Sequence, residues 1–168
     1  MLIEQSQAEL NAAQAIQGKC TLTQVVLNKC EMAAFGQEEQ FASPFKLNFT
    51  HDCSAVQNGR ILIVEAKFDF KSVDASPQIA PVFNLLCVYR LAYELQEGSN
   101  PTPIQIDAFK KGNAVYNCWP YVREFVQNAT ARMGFNPPPL PLLRVKVRQE
   151  AKPTVSEQPT APMAETKG

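Results

Sequence analysis

The chain has 168 residues, of which 45 % are hydrophobic and 19 % are charged, a composition typical of one globular domain. Its 16 basic and 16 acidic residues balance, and no basic stripe with interleaved aromatic residues occurs, so we expect no nucleic-acid partner. Neither a secretory signal nor an apolar run long enough for a membrane span is present, so we expect no membrane insertion. Five cysteines without a CxxC pair favour free thiols in the cytoplasm.

The two ends of the chain differ from its middle in composition. Residues 1–19 are rich in alanine and glutamine and are predicted to form an N-terminal extension with the composition of a loose helix. Residues 148–168 have almost no large apolar side chains. Because such a segment cannot offset the entropy lost on ordering, we predict a disordered C-terminal tail. The folded domain is therefore predicted to span 20–147.

A β-hairpin is the clearest local feature. Asn58-Gly59 is a preferred two-residue turn, because both of its positions need a positive φ. Pairing outward from that turn places Ala55 opposite Leu62 and gives one almost entirely apolar face and one polar face.

Two further segments complete a predicted four-stranded antiparallel sheet. Residues 20–35 begin with a β-branched, strand-like pattern. Residues 82–97 alternate with a period of two, which favours a long strand, and both faces of that strand carry apolar residues.

A long helix follows the sheet. Thr102 before Pro103 predicts the helix start, and Gly134 predicts its end. Gly112 and Pro120 interrupt the segment, so we expect a kinked or two-part helix. The fold class is thus predicted as α+β. The apolar stripe of this helix is wider than one sheet contact needs, which suggests that part of it packs on a partner subunit.

No pattern of catalytic residues is present. His51 is the only histidine and falls on the apolar face of the hairpin, where a core role with one hydrogen-bond partner is the simplest interpretation. The seven glycines do not form a phosphate-binding loop. We therefore predict that the protein is not an enzyme, with no catalytic residues, no metal site and no cofactor.

The unusual feature is apolar sequence that a small core does not obviously need, including GFNPPPLPLLRVKV at 134–147. Leucines flanked by prolines cannot join a regular helix and usually lie extended. They either close the core or line a groove for an extended peptide, and both alternatives stay open at this point.

The order of elements, the helix motif WPYVRE at 119–124 and the following FNPPPLPLL at 135–143 together resemble the SecB family of export chaperones. In that family the helix carries an aromatic-Pro-Tyr-x-Arg-Glu signature, followed by a loop rich in leucine and proline. The resemblance implies a homotetramer, a dimer of dimers with helices packed between two sheets. It also implies ATP-independent holding of unfolded client polypeptides in apolar grooves.

Site residues follow from this resemblance. We expect the motif residues to serve the oligomer interface: Trp119, Pro120, Tyr121, Arg123 and Glu124. We expect the client-binding residues to be Tyr121, Phe125, Met133, Phe135, Leu140, Leu142 and Leu143, although Tyr121, Phe125 and Met133 could serve the interface instead.

Two departures from the family pattern bear on the partners. Export members dock the SecA motor through acidic residues on the exposed sheet surface, where this chain has Cys30, Ala34 and Leu86. Export members also carry a second amphipathic helix after the leucine/proline loop, but LLRVKVRQEAKP is too short and too β-like for one. Both departures resemble divergent SecB-like proteins, some of which hold an aggregation-prone antitoxin. The expected partners are unfolded or pre-folded client polypeptides, with the SecA motor or an antitoxin as alternatives, and the pathway stays open.

Two other functions remain open from the sequence. A dedicated adaptor would bind one specific protein partner without general chaperone activity. A small-molecule carrier would use a pocket between the sheet and the helix.

Overall fold

The computed structural model describes residues 2–35, 46–73, 82–136 and 139–148. Most of the predicted tail, from residue 149 onward, lies outside these residues. The strands of the described part are β1 (Leu2–Gln5), β2 (Cys20–Ala34), β3 (Lys46–Asn58), β4 (Ile61–Val73), β5 (Phe83–Leu95) and β6 (Arg144–Val147). The helices are α1 (Gln7–Gln17), α2 (Pro103–Phe109) and α3 (Val115–Arg132), with a π-helical turn (Lys110–Ala114) between α2 and α3.

The central element is an antiparallel sheet of four strands in the order β2-β5-β4-β3, which confirms the predicted α+β class. Alternate residues of β4 and β5 point to the side covered by α3 and form the sheet's share of the core. The other side of the sheet carries the charged and half-exposed residues. Strands β2 and β3 are the two edges of this sheet.

The register of the predicted hairpin was wrong by two residues. Ala55 lies opposite Val64 rather than Leu62, and the two-residue loop is Gly59-Arg60. Gly59 has a φ of 57°, whereas no non-glycine residue described here has a positive φ, so Asn58 does not occupy a turn position. A loop with glycine first is the pattern of a type II′ hairpin. Because the shift is an even number of residues, the predicted apolar face is still the buried one.

The helical region has two parts, as predicted. Thr102 caps α2 through a capping box with Gln105. The π-helical turn contains Gly112, and α3 then continues through Pro120 to Arg132. Gly134, with a φ of 86°, follows the helix end.

The segment predicted as an N-terminal extension packs against the rest of the chain. β1 pairs in parallel with β6, and Ile3 and Ile16 are buried in the core. The Gln5 side chain is buried as well, and its Nε2 donates a hydrogen bond to the Ala108 carbonyl at 3.1 Å. Whether residues 1–19 form a unit of their own remains a prediction, but their described part contributes to the same core.

Candidate functional site

Three side-chain hydrogen bonds surround Pro120 and fix α3 to its neighbours. Asn117 donates to the Tyr93 hydroxyl oxygen at 3.1 Å. The Tyr89 hydroxyl donates to the Tyr121 carbonyl at 3.0 Å. The indole Nε1–H of Trp119 donates to the Pro141 carbonyl at 3.0 Å. Proline cannot donate to the helix ladder, and these bonds stabilise the same stretch from outside the helix.

Trp119 is buried within its own chain, with only 3 % of its surface exposed. Its ring lies 5.7 Å from that of Phe49 and 5.9 Å from that of Phe68, which places it over β3 and β4. Its indole also donates a hydrogen bond to Pro141, which lies in the leucine/proline segment (residues 140–143). The interface role predicted for Trp119 remains a prediction, and contacts inside the chain already account for its burial.

The predicted client-binding residues divide into buried and exposed members. Phe135 is buried, with its ring 5.0 Å from that of Phe83. Leu140 is only 6 % exposed and joins the same core, whereas Leu142 is 67 % exposed. The sequence left open whether these leucines close the core or lie at the surface. Leu140 closes the core, and Leu142 is exposed at the surface.

The remaining members of that predicted set lie at the boundary of the core. Tyr121 is exposed, and its ring lies 6.4 Å from that of the buried Tyr89. Three others are half-buried against the core: Phe125, Met133 and Leu143.

A line of exposed apolar side chains lies on β2. In an antiparallel pair, directly opposite residues share one face of the sheet. Leu22, Leu27 and Met32 are 37 %, 37 % and 47 % exposed, although the residues opposite them on β5 are at most 5 % exposed. The helix side of the sheet is thus covered over β5 and uncovered over β2. We call this surface the β2 strip, and it comprises Leu22, Val25, Leu27, Cys30, Met32 and Ala34.

Sequence reasoning identified β2 as a strand but missed its strip as a functional surface. Two β-bulges, between Leu22 and Gln24 and between Leu27 and Lys29, break the strict alternation of apolar residues. Apolar residues spaced by three, two, three, two and two along β2 were the available indication of one continuous face.

Arg123 and Glu124 differ in their surroundings. The Nε atom of Arg123 is buried and has no hydrogen-bond partner among the described residues. Buried donors are normally paired, and this atom is an exception among the described residues. Glu124 accepts a hydrogen bond from Asn128 one turn later on the exposed side of α3.

The three positions compared with the SecA-docking surface do not lie on one face. Cys30 and Ala34 belong to the β2 strip on the helix side of the sheet, and Leu86 lies half-buried on the opposite side. The positions expected to correspond to one docking surface are therefore split between the two faces.

A cavity of about 310 Å³ lies between β1, the start of α1 and the edge strand β3. His51 lines it at the exposed edge of the sheet, stacked on Phe68 at 6.1 Å, rather than in the core as the sequence suggested. Partial burial lowers the pKa of His51. The charged residues Glu4, Glu9 and Lys111 also line this cavity.

Across the described segments, no cluster of histidine, cysteine, aspartate and glutamate is arranged to hold a metal ion. None of the helices in those segments combines the length and the apolar character that crossing a membrane requires.

Similarity to known proteins is found in the structure and not in the sequence. No protein-family model and no curated protein matches the sequence. The SecB-like chaperone Rv1957 of Mycobacterium tuberculosis, solved in complex with a ChAD peptide from the antitoxin HigA1 (Rv1956), has a TM-score of 0.71 to this chain at 13 % sequence identity. The match covers 81 % of this chain and 99 % of Rv1957.

A second similar structure is a protein of unknown function from Streptococcus agalactiae, with a TM-score of 0.46 and 15 % identity, covering 74 % of this chain and 98 % of the other. At 13 % identity the similarity to Rv1957 describes the fold alone. The chain has a divergent SecB-like fold, which confirms the fold that the helix motif and the leucine/proline segment indicated.

Proposed function

We propose that this chain is a cytoplasmic, ATP-independent holding chaperone that binds unfolded or extended polypeptide segments. The observation that carries the proposal is exposed apolar surface in two places: the β2 strip along a 15-residue edge strand, and Leu142, which is 67 % exposed beside the buried Leu140. Contiguous exposed apolar surface usually marks a protein interaction site. The SecB-like fold adds the expectation that such surfaces serve assembly and client binding.

Two surfaces are available for these two roles. The β2 strip lies on a sheet edge, where a sister subunit can cover it. Leu142 projects from a segment that Trp119 fixes in place. We assign the strip to contacts within a homotetramer, a dimer of dimers, and Leu142 with Tyr121 to clients.

The client class is either an export client or an aggregation-prone partner such as an antitoxin. Rv1957, the chaperone with the similar fold, was solved with an antitoxin peptide, which supports the second class. We do not include the SecA motor, because the positions compared with its docking surface lie on two faces and carry no acidic residue.

The test is suppression of aggregation of two unrelated unfolded proteins. The wild-type chain is expected to slow the aggregation of both proteins. Leu142→Ser removes an apolar side chain whose burial is worth about 1.5–3 kcal/mol, so client affinity is expected to fall about tenfold or more. The change is made at Leu142 alone, because replacing the buried Leu140 would damage the core.

The matched control is Ile104→Ser. Ile104 is 76 % exposed on α2 and belongs to neither surface, so its replacement is expected to leave the suppression unchanged. If the wild-type chain slows neither aggregating protein, the chain is a dedicated adaptor and the proposal is wrong. Equal suppression by the Leu142→Ser variant and the wild type would exclude Leu142 as a client contact.

A further inference from the structure

Strand β6 has one edge that no described strand covers. It lies beside β1 in a parallel pair that runs from Leu2 opposite Arg144 to Gln5 opposite Val147. All of its residues are exposed. Because β1 is the only described strand that pairs with β6, the backbone N–H and C=O groups along the other edge of β6 are open to a further strand.

One hydrogen bond at the end of the pair gives the direction of these backbone groups. The Arg148 N–H donates to the Gln5 carbonyl at 2.8 Å, so the backbone of Arg148 faces β1. In a strand the N–H and C=O of one residue point to one side, and those of the next residue point to the other side. Val145 and Val147 therefore direct their N–H and C=O groups towards the open edge.

The side chains of β6 alternate between an apolar face and a basic face. Val145 lies opposite the buried Ile3, but both Val145 and Val147 are exposed, so the core that covers Ile3 does not extend across β6. Arg144 and Lys146 lie on the other face of the strand. Neither of these two side chains forms an ion pair with a described residue.

We propose that the open edge of β6 pairs with an extended client segment in which acidic and apolar residues alternate. The backbone of this segment bonds to the two valines of β6, and its apolar side chains cover them. Its acidic side chains face Arg144 and Lys146, because opposite charges across a strand pair attract. A second copy of β6 would place basic residues against basic residues, so charge favours an acidic segment over a sister subunit.

The inference rests on the proposed function and adds the class of client. Strand β6 begins two residues after Leu142, which is the client contact proposed above. One extended segment can therefore contact Leu142 and continue along β6. Main-chain hydrogen bonds supply affinity in this mode of recognition, and the alternating side chains supply the preference for acidic sequences.

Binding of two labelled synthetic peptides to the full chain, followed by fluorescence anisotropy, tests the inference. One peptide alternates glutamate with valine, and the other alternates lysine with valine. We expect the chain to bind the glutamate peptide about tenfold more tightly than the lysine peptide. The double variant Arg144→Gln/Lys146→Gln is expected to lose this preference. The matched control Lys19→Gln/Lys67→Gln removes two other exposed charges that form no ion pair with a described residue, and it is expected to keep the preference.

Methylation of the peptide nitrogen atoms tests the backbone contact without any change to the protein. In an antiparallel segment the valine N–H groups face β6, and in a parallel segment the glutamate N–H groups do so. We therefore expect one of two glutamate peptides, methylated at the valine or at the glutamate nitrogens, to lose binding and the other to retain it. Equal loss for both peptides, or loss for neither, would mean that binding does not use the strand edge, and the inference would be wrong.

Failure of this inference and failure of the proposed function give different results. A chain that slows aggregation but does not prefer the glutamate peptide would overturn the inference alone, whether a second copy, residues 149–168 or nothing covers the edge. A chain that prefers the glutamate peptide but slows neither aggregating protein would support the strand edge as a docking site and overturn the general chaperone function.

Discussion

The indole of Trp119 joins two parts of the molecule that the sequence places 22 residues apart. Its ring packs on the sheet, and its N–H holds the Pro141 carbonyl in the segment that presents Leu142. Trp119→Phe keeps an aromatic ring but removes the donor, and a lost hydrogen bond of this kind costs about 0.5–1.5 kcal/mol. We expect the Leu142 and Leu143 amides to exchange hydrogen faster in this variant, and hydrogen exchange with mass spectrometry measures this.

Tyr89→Phe is the matched control for that prediction. It removes the hydrogen bond to the Tyr121 carbonyl on the other side of Pro120 and also retains its ring. Because this bond joins α3 to β5 and not to the leucine/proline segment, exchange at Leu142 is expected to stay at the wild-type rate. Equal exchange at that amide in both variants and the wild type would show that Trp119 does not hold the segment.

The difference in burial between Leu140 and Leu142 could not be predicted from the sequence. Leu140 and Leu142 have the same side chain, flank the same proline, and end up buried and exposed respectively. Hydrophobic periodicity separates the two faces of a helix or strand, but a proline-rich segment has no such period. Their exposure depends instead on how the segment lies against the core, which includes the contact of Trp119 with Pro141.

At the scale of elements, the strand pattern predicted the faces of the hairpin correctly and its register incorrectly. A shift of two residues leaves every side chain on the same face, so alternation alone cannot detect it. The choice between Asn58-Gly59 and Gly59-Arg60 as the loop depends on which residue takes the positive φ, and in the structure only Gly59 does so. The helix prediction was more exact, because the capping box at Thr102 and the glycine at 134 are local features.

The contact between the N-terminal segment and the π-helical turn depends on Gly112. A Cβ atom at this position would lie 2.6 Å from Oε1 and 2.8 Å from Nε2 of the buried Gln5. Gly112→Ala is therefore expected to destabilise the protein by about 1–2 kcal/mol, since overpacking outweighs the gain in helix propensity. Urea denaturation of the variant and the wild type measures this difference.

Gly18→Ala and a double variant complete that experiment. Gly18 has an ordinary helical φ of −76°, and a Cβ there would meet nothing within 4 Å, so alanine is expected to be neutral or stabilising by up to about 1 kcal/mol. In a Gln5→Ala background the clash is absent, and Gly112→Ala should no longer destabilise. A Gly112→Ala cost that is the same in the wild-type and the Gln5→Ala backgrounds would mean that the two residues are not coupled.

At the scale of the whole molecule, the β2 strip depends on where α3 lies. The sequence shows an apolar stripe on the helix, but it does not show which strands that helix covers. In the structure α3 lies over β3, β4 and β5, and the helix side of β2 stays exposed. The sequence assigned the excess apolar surface to the helix stripe and to residues 134–147, among other segments, and the structure adds the β2 strip, which was not assigned.

The proposed assembly predicts a difference between two neighbouring residues of β2. Leu27 and Val26 are 37 % and 40 % exposed, but Leu27 lies on the strip and Val26 lies on the opposite face, across from Arg90. A two-fold interface contains each residue twice, so Leu27→Ser removes two apolar side chains worth about 1.5–3 kcal/mol each. The dissociation constant of the assembly is then expected to rise at least about a hundredfold.

Sedimentation equilibrium over a range of protein concentrations measures this difference directly. The wild-type chain is expected to sediment as four subunits of 18.7 kDa each, and Val26→Ser is expected to behave in the same way. Leu27→Ser should dissociate to smaller species at concentrations where the other two remain assembled. A monomeric wild-type chain would contradict the proposed tetramer, because the strip would then be open to solvent without a sister subunit to cover it. Equal dissociation of both variants would instead place the interface on another surface than the strip.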